Sequence, residues 1–360
     1  MQSQVYVISG ESVAAWLPHF CAADLTAPRL VVAGKDAGFD TVRDVPDGAG
    51  LVFVSDHDTL ARDVRWAAAL RRAGRAVRCQ SADAVALALD KVEMKAFLHR
   101  NEVATPAWSA PGHSVPGWPA AETEAVWKRR TGTQSQGIRL GLTTERPADD
   151  EYGELYREGV EYSVNVFAGP GGVTALPPVW KGPTSRELVP PWRRTRLCGP
   201  TAVGPGLARH LTGTAARLAR DLGADGFLEV EYLVGDDGEP HVLEINPRVS
   251  GTLRMAALAA AEPVFSWYDA PAPPGALPAL RHVVEVPNPG PQLIVRELGV
   301  YATSRLTVAG DTPEELADRI GGLHELGLLP GFATRLLGDA ATAAVTAPAT
   351  TAGASALARV

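Results

Sequence analysis

The stretch from Gly226 to Arg248, GFLEVEYLVGDDGEPHVLEINPR, concentrates the residue types that do chemistry. Two alternating runs flank GDDG, and Asp237-Gly238 is a pair preferred in two-residue hairpin loops, so the spacing predicts a tight antiparallel hairpin. With Asp237 and Gly238 as the turn, Glu231 lies opposite Glu244 and Glu229 opposite Asn246. With the loop shifted to Asp236 and Asp237, Glu229 faces Glu244 instead. Either register sets two carboxylates face to face with Cα atoms roughly 4.5 to 5.5 Å apart, which is destabilising unless a cation neutralises them. Strand side chains alternate, so Glu244, Asn246 and Arg248 share one face while Leu243, Ile245 and Pro247 take the other. A donor set of carboxylate and amide oxygens suits Mg²⁺, which keeps its remaining octahedral positions for water and phosphate oxygens. Arg248 adds a planar fork of donors for a phosphate or a developing oxyanion.

These residues need a scaffold, and the patterning supplies one. The runs QVYVIS (4–9), RLVVAG (29–34) and GLVFVS (50–55), with a helical stretch around Val64 to Arg72, predict a βαβ unit and a parallel sheet. SGESVAAW after the first run is not GxGxxG, so a dinucleotide site has no fingerprint there. Residues 82–100 predict one helical segment, 109–122 a Pro/Gly-rich loop, 125–141 strand, polar loop and strand, and 158–169 a strand. Residues 177–206 carry many prolines and arginines with little periodicity and predict a long functional loop. A helix over 204–223 ends at Gly223 and precedes the hairpin. Strands at 281–286 and 304–310 and a helix opened by Thr312 follow, and the Ala/Thr-rich 340–360 predicts a loose tail.

The EINPR run at Glu244 to Arg248, with its strand pair, resembles the ATP-grasp superfamily. Upstream, LDKVEMKAFL supplies Asp90 and Lys91, and Lys95 one turn on; AVWKRRTGTQSQGIRL supplies Lys128 and a loop from Thr131 to Gly137; ELYREGVE supplies Glu154 and, seven residues on, Glu161. The resemblance covers roughly residues 82–262 and extends to D-alanine:D-alanine ligase and biotin carboxylase. It implies an α/β fold of the α+β ATP-grasp type, an N-terminal parallel βαβ domain followed by two α+β subdomains that clasp ATP. The corresponding boundaries are 1–88 for a substrate-side domain, 89–152 for the central subdomain, 153–339 for the subdomain with the metal hairpin, and 340–360 for the tail. It also implies that ATP is held by Lys91, Lys128, Ser135, Gln136, Gly137, Glu154, Leu155, Tyr156 and Glu161. The backbone of Leu155 and Tyr156 meets the adenine edge, and Glu161 takes the ribose. Mg²⁺ falls to Glu231, Glu244 and Asn246, and catalysis to Arg248 and Lys128.

Under that resemblance the expected reaction is an ATP-dependent carboxylate-amine ligation between small molecules, amino acids or their derivatives, through an acyl phosphate, with release of ADP and phosphate. The alternatives are a carboxylase using bicarbonate and a non-catalytic ATP-binding regulator. Arg193, Arg194, Arg196 and Arg254 are candidate clamps for a substrate carboxylate, with Lys181 and Arg186 in the same loop as further basic candidates.

Composition narrows the rest. Among 360 residues, 34 Lys+Arg against 41 Asp+Glu give a net charge of -7, which argues against a nucleic-acid partner held by diffuse positive charge. No apolar run approaches a bilayer span, and Cys21, Cys79 and Cys198 lie far apart without a CxxC pair, which fits a reducing cytoplasm and no covalent nucleophile. The expected partners are small-molecule carboxylate and amine substrates and at most a second copy of the chain as a homodimer, with no nucleic acid and no membrane.

Overall fold

The computed structural model describes residues 5–15, 17–20, 29–114, 117–132, 137–190, 193–268, 271–288, 293–295, 300–302 and 305–325. Ser135, Gln136, Cys21 and the 340–360 tail lie outside them. The first sheet holds four parallel strands, β1 (Val5–Ser9), β2 (Arg29–Val32), β3 (Gly50–Val54) and β4 (Val77–Arg78), in the order β2-β1-β3-β4. Helices α1 (Glu11–Ala14), α2 (Asp40–Arg43) and α3 (Leu60–Arg72) lie between them; the three apolar runs and the helical stretch around Val64 to Arg72 appear as expected, while α1, α2 and β4 are additional.

The helical stretch expected over 82–100 is two helices, α4 (Ala82–Leu89) and α5 (Lys91–Arg100). Asp90 breaks it: with extended backbone it caps α5, its carboxylate accepting from the N–H groups of Val92 and Glu93. That cap sets Lys91 as the first helical residue.

A second, antiparallel sheet follows, built from β5 (Trp108–Ala110), β6 (His113–Ser114), β7 (Glu124–Arg129), β8 (Arg139–Leu142) and β9 (Glu151–Leu155), in the order β6-β5-β9-β7-β8. Trp108 and Tyr152 bury against Val92 of α5, tying this sheet to the capped helix.

The third sheet takes β10 (Val160–Gly169), β11 (Gly172–Ala175), β12 (Val179–Pro183), β13 (Arg196–Cys198), β14 (Gly226–Val234), β15 (Pro240–Asn246), β16 (Gly275–Ala276), β17 (His282–Pro287), β18 (Leu293–Val295), β19 (Val300–Ala302) and β20 (Arg305–Gly310). Its main path runs β15-β14-β10-β12-β13-β17-β20-β19-β18. Residues 177–206 are therefore not one long loop: β12 and β13 lie in the middle of the sheet. The prolines of this segment fall outside the strands or at their ends: Pro177 and Pro178 precede β12, Pro183 is its last residue, Pro190 and Pro191 lie between β12 and β13, and Pro200 and Pro205 follow β13, which is why apolar periodicity is short there.

Alternation along β14 sorts the sheet's two faces. Leu228, Val230, Tyr232 and Val234 pack with α6 (Pro205–Asp221), with Met94 and Leu98 of α5, and with α8 (Pro313–Glu325). Each fully buried aliphatic or aromatic side chain of this kind contributes about 1.5–3 kcal/mol. Phe167 and Phe227 pack on the other side with α7 (Leu253–Ala260) and with Val7, Val52 and Val54 of the first sheet, so the parallel sheet shares a core with the third. Glu229, Glu231 and Leu233 remain on the face where the chemistry collects. No helix among the described residues is long and apolar enough to cross a membrane.

Candidate active site

Glu231 pairs with Glu244 and Glu229 with Asn246, the first of the two registers considered. The turn is nevertheless not the expected two-residue loop. Gly238 N–H donates to the Gly235 carbonyl at 3.0 Å, so Asp236 and Asp237 are the central residues, and Gly238 sits at φ +76°, a conformation suited to glycine. Near the turn Val234 faces Pro240 and Tyr232 faces Val242, a register that by itself would set Glu231 opposite Leu243. An irregularity at Leu243 inserts one extra residue into β15 and brings Glu244 opposite Glu231. The same irregularity overturns the expected facing of Leu243, which lines the cavity beside Glu244, while Ile245 returns to the core.

Both carboxylates have ammonium partners. Lys181 of β12 lies 2.7 Å from Glu231, and Lys91 lies 3.4 Å from Glu244. Burial pushes the Glu231 carboxyl up, but Lys181, Arg248 and Arg196 overcome that push and hold it below its ordinary range. Glu229 moves the opposite way: burial and the neighbouring Glu231 charge raise it, against Lys181 and a hydrogen bond from Thr252. Thr252 Oγ1 donates to Glu229 at 2.5 Å, and Ser250, Asn165 and Ser163 complete the surrounding polar network. Arg248 reaches the Asn246 side-chain oxygen at 3.4 Å and the Val249 carbonyl at 3.2 Å.

Across the cavity, β7 and β9 pair so that Lys128 stands opposite Tyr152 and Val126 opposite Glu154. Glu154 is buried and bridges two ammonium groups, those of Lys128 and Lys95. Burial would raise its pKa, yet the two lysines bring it down to about 2. The placement shows in the titration of the fully buried Lys95: burial lowers it to about 8 in spite of Glu154. Lys95 also bonds Thr105 Oγ1 at 2.6 Å and the Val242 carbonyl at 3.2 Å, and so fastens α5 to β15. Lys128 is held above its ordinary value, Glu154 outweighing the effect of burial.

A cavity of about 150 Å³ collects Lys91, Lys128, Glu154, Leu155, Tyr156, Glu161, Arg194, Glu231 and Glu244, nine of the residues singled out in the sequence. Gly137, Asn246, Arg248, Arg193, Arg196 and Arg254 do not line it. The N–H groups of Leu155 and Tyr156 are engaged within the chain, donating to the carbonyls of Ala107 and Glu124 at 2.8 and 3.1 Å. Glu161 is paired with Arg194 at 2.7 Å. Gly137, at φ +71°, closes the loop before β8.

The four candidate clamp arginines separate. Arg193 is exposed and Arg194 belongs to the cavity. Arg196 and Arg254 converge instead on buried Glu285 of β17, with Arg305 and Thr307 of β20. Burial opposes the Glu285 charge, and Arg305, Arg254 and Arg196 hold it down at about 2. Sequence reasoning left Lys95 without a partner, placed Lys181 in a loop and missed Glu285 altogether. The alternation of HVVEVP, which sets a charged residue inside an apolar strand, is the signal that could have flagged Glu285.

The oxygen donors Glu231, Glu244 and Asn246 fit a hard divalent cation, because the two opposed carboxylates already draw Lys181 and Lys91 and Asn246 stands two pairs further along the ladder. The first sheet reaches the same place: Val249 N–H donates to the Ser55 carbonyl at 3.0 Å, which sets the loop after β3 against the loop after β15.

Comparison with known proteins agrees with this architecture. The family model described as "ATP-grasp in the biosynthetic pathway with Ter operon" matches residues 207–269, the segment holding the hairpin. The chain is 28% identical over 178 residues to a carbamoyl-phosphate synthase of Methanobrevibacter smithii, covering 47% of this chain and 48% of the relative, so it spans about half that relative's length. It is 27% identical over 215 residues to a D-alanine--D-alanine ligase of Nitratidesulfovibrio vulgaris, covering 54% of this chain and 68% of the ligase. Among solved structures, an L-amino acid ligase from Bacillus licheniformis superposes with a TM-score of 0.65 at 14% identity, covering 90% of this chain and 97% of that one. The biotin carboxylase domain of the Hydrogenobacter thermophilus 2-oxoglutarate carboxylase, in complex with MgADP, ADP and bicarbonate, superposes at 0.64 with 13% identity, covering 88% of each chain. Three sheets in this order and these likenesses give the chain the three-domain clasp architecture of the ATP-grasp fold, and its sequence is similar to carboxylases and ligases of that superfamily.

Proposed function

We propose that the chain is an enzyme that uses ATP to activate a carboxylate-type acid as an acyl phosphate and passes the acyl group to an amine. The observation that carries this reading is the register that opposes Glu231 and Glu244 beside Lys91, across one cavity from Lys128 and Glu154. Mg²⁺, held by Glu231, Glu244 and Asn246, would neutralise the outer phosphates. Lys91 and Lys128 add positive charge on the same wall, and Glu161 is the ribose acceptor once Arg194 releases it. An oxygen of the acid attacks the γ-phosphorus as its bond to the ADP oxygen breaks. The amine nitrogen then attacks the acyl carbon, loses a proton, and inorganic phosphate leaves. Arg248, fixed at the end of β15, stabilises the oxyanion of that second step, and the 131–137 loop keeps water from the intermediate.

The likenesses weigh toward bicarbonate as the acid more than toward the amide ligation expected from the sequence. Carboxylases and N5-carboxyaminoimidazole ribonucleotide synthetases are among the similar structures, and one carboxylase was solved with MgADP and bicarbonate. The second reading, amide formation between amino acids, draws on the D-alanine--D-alanine ligase and L-amino acid ligase likenesses. Phosphate release from ATP and Mg²⁺ separates them. Stimulation by bicarbonate with an amine supports carboxylation, and stimulation by pairs of amino acids supports the ligase. Tight ATP binding with no release in either pool would leave a non-catalytic nucleotide binder.

A further inference from the structure

We infer that Lys181 is a positioning residue of the metal site: it holds one oxygen of Glu231 permanently and thereby limits the hairpin to a single divalent cation, its ammonium standing in for a second ion. The inference rests on the proposed use of Mg²⁺ by Glu231, Glu244 and Asn246 and gives that site its stoichiometry.

Lys181 reaches the site through a shift of register. β12 pairs with β10 through Ser163–Val179 and Tyr162–Trp180 and then through Glu161–Gly182, so Lys181 has no partner in the ladder. Gly182, at φ +93°, supplies the left-handed backbone beside this extra residue. A bulge re-aims a side chain, and this one sends Lys181 across β10 to β14. Its path crosses β10 near Ser163, a short buried residue that pairs with Glu231 on the far side. Nζ of Lys181 meets Oε2 of Glu231 at 2.7 Å. Lys181 is buried and does not line the cavity, whereas Glu231 and Glu244 do. The ammonium therefore leaves the way open for a cation arriving through the cavity.

Donor counting gives the stoichiometry. Two opposed carboxylates with all their oxygens free have the lone pairs to clamp two cations. Here Oε2 of Glu231 is held by Lys181 and Oε1 of Glu244 by Lys91, and neither carboxylate has another partner among the described residues. One oxygen of each remains, with the side-chain oxygen of Asn246, and that is a donor set for one hard cation. The two lysines differ in their freedom. Lys91 has a second acceptor in the Gly132 carbonyl and is partly exposed, so it can leave Glu244 for a phosphate. Lys181 has neither recourse among the described residues, and moving it would strand a buried ammonium and a buried carboxylate at once. The charge of Glu231 is already balanced, and a second ion finds neither the charge nor the oxygens to hold it.

Mn²⁺ binding to the full chain, counted from the loss of the free-ion paramagnetic resonance signal, tests this without turnover. The unaltered protein should take up a single Mn²⁺ per chain at saturation, with ADP and without it. Lys181→Met should take up about two, close enough for their spins to couple, and Lys181→Arg, which restores the charge, should return to one. Thermal unfolding of the same samples separates this from a merely structural role. Lys181→Met should melt about 5–10 °C lower in EDTA and regain most of that in Mn²⁺, because the added ion replaces the missing ammonium. Two Mn²⁺ in the unaltered protein or in Lys181→Arg, or a single one in folded Lys181→Met, overturns the inference and leaves the metal and nucleotide reading standing. No Mn²⁺ in the unaltered protein, with or without ADP, overturns that reading itself. Should Lys181→Met fail to fold even in Mn²⁺, the counts in the unaltered protein and in Lys181→Arg still decide.

Discussion

Glu231 and Glu244 face each other across β14 and β15 only because Leu243 is one residue more than the ladder needs. A ladder continuing unbroken from the Val234–Pro240 pair would oppose Glu231 to Leu243 and leave the two carboxylates out of step. Each of the opposed pair has its own cation, but the cations differ in burial. Lys181 is 2% exposed, whereas Lys91 is 14% exposed and also bonds the Gly132 carbonyl at 2.8 Å.

That difference predicts an asymmetry between two conservative substitutions. Glu244→Gln should fold with a stability change within about 1 kcal/mol, since Lys91 keeps another acceptor and a link to solvent. Glu231→Gln should cost about 3–5 kcal/mol by leaving Lys181 buried without its carboxylate. Both should lower Mg²⁺-dependent phosphate release by about 100-fold or more. Denaturant unfolding set beside a phosphate-release assay checks the pair, and equal destabilisation by the two would refute the argument.

Arg248 is fixed by Asn246 and the Val249 carbonyl and does not line the cavity, so its removal should spare nucleotide binding. Arg248→Met is expected to lower kcat by about 10² to 10³ while the affinity for ATP changes less than about twofold. A rise in the ATP dissociation constant matching the fall in kcat would assign Arg248 to ground-state binding instead.

Lys95 titrates at about 8 where a free lysine stays charged, because burial outweighs Glu154. Above that pH Glu154 is balanced by Lys128 alone and holds it more firmly away from phosphates. Nucleotide affinity should therefore fall, by about two- to tenfold, as pH rises through 8, and Lys95→Met should abolish the step. Calorimetric titration with MgADP from about pH 7 to about 9.5 reads it directly.

Glu154 and Glu285 both titrate at about 2 against an ordinary glutamate value of 4.5. A carboxyl whose pKa is depressed in the folded protein contributes stability in full above the unfolded value and loses it as pH falls through the folded value. The window is accordingly pH 4.5 down to 2, and each group contributes on the order of 3 kcal/mol across it. Glu285→Gln should destabilise the protein at neutral pH and flatten the acid limb in that window. A variant whose stability falls with acid as steeply as that of the unaltered protein would count against the assignment.

Much of the scaffold is legible in the chain because its signals are local. Apolar runs with turn residues between them specify the parallel first sheet, and Glu229, Glu231 and Leu233 alternate with the core residues of β14 without need of any distant contact. Glu231 and Glu244 could be named from the hairpin pattern, and Lys91, Lys128, Glu154 and Glu161 only through the family resemblance; all six line one cavity. Three things were settled only by tertiary structure. The extra residue at Leu243 lies where β15 meets the segment after α5: Val242 N–H donates to the Ala104 carbonyl at 2.8 Å, and the Val242 carbonyl takes Lys95. The Pro- and Arg-rich segment becomes β12 and β13 because Trp180 pairs with Leu197 and Leu197 with Val284 of β17, and no local periodicity encodes partners so far along the chain. Arg196, Arg254 and Arg305 meet at Glu285 for the same reason: four charges scattered through the sequence are tolerable in an apolar sheet only once the fold has brought them together.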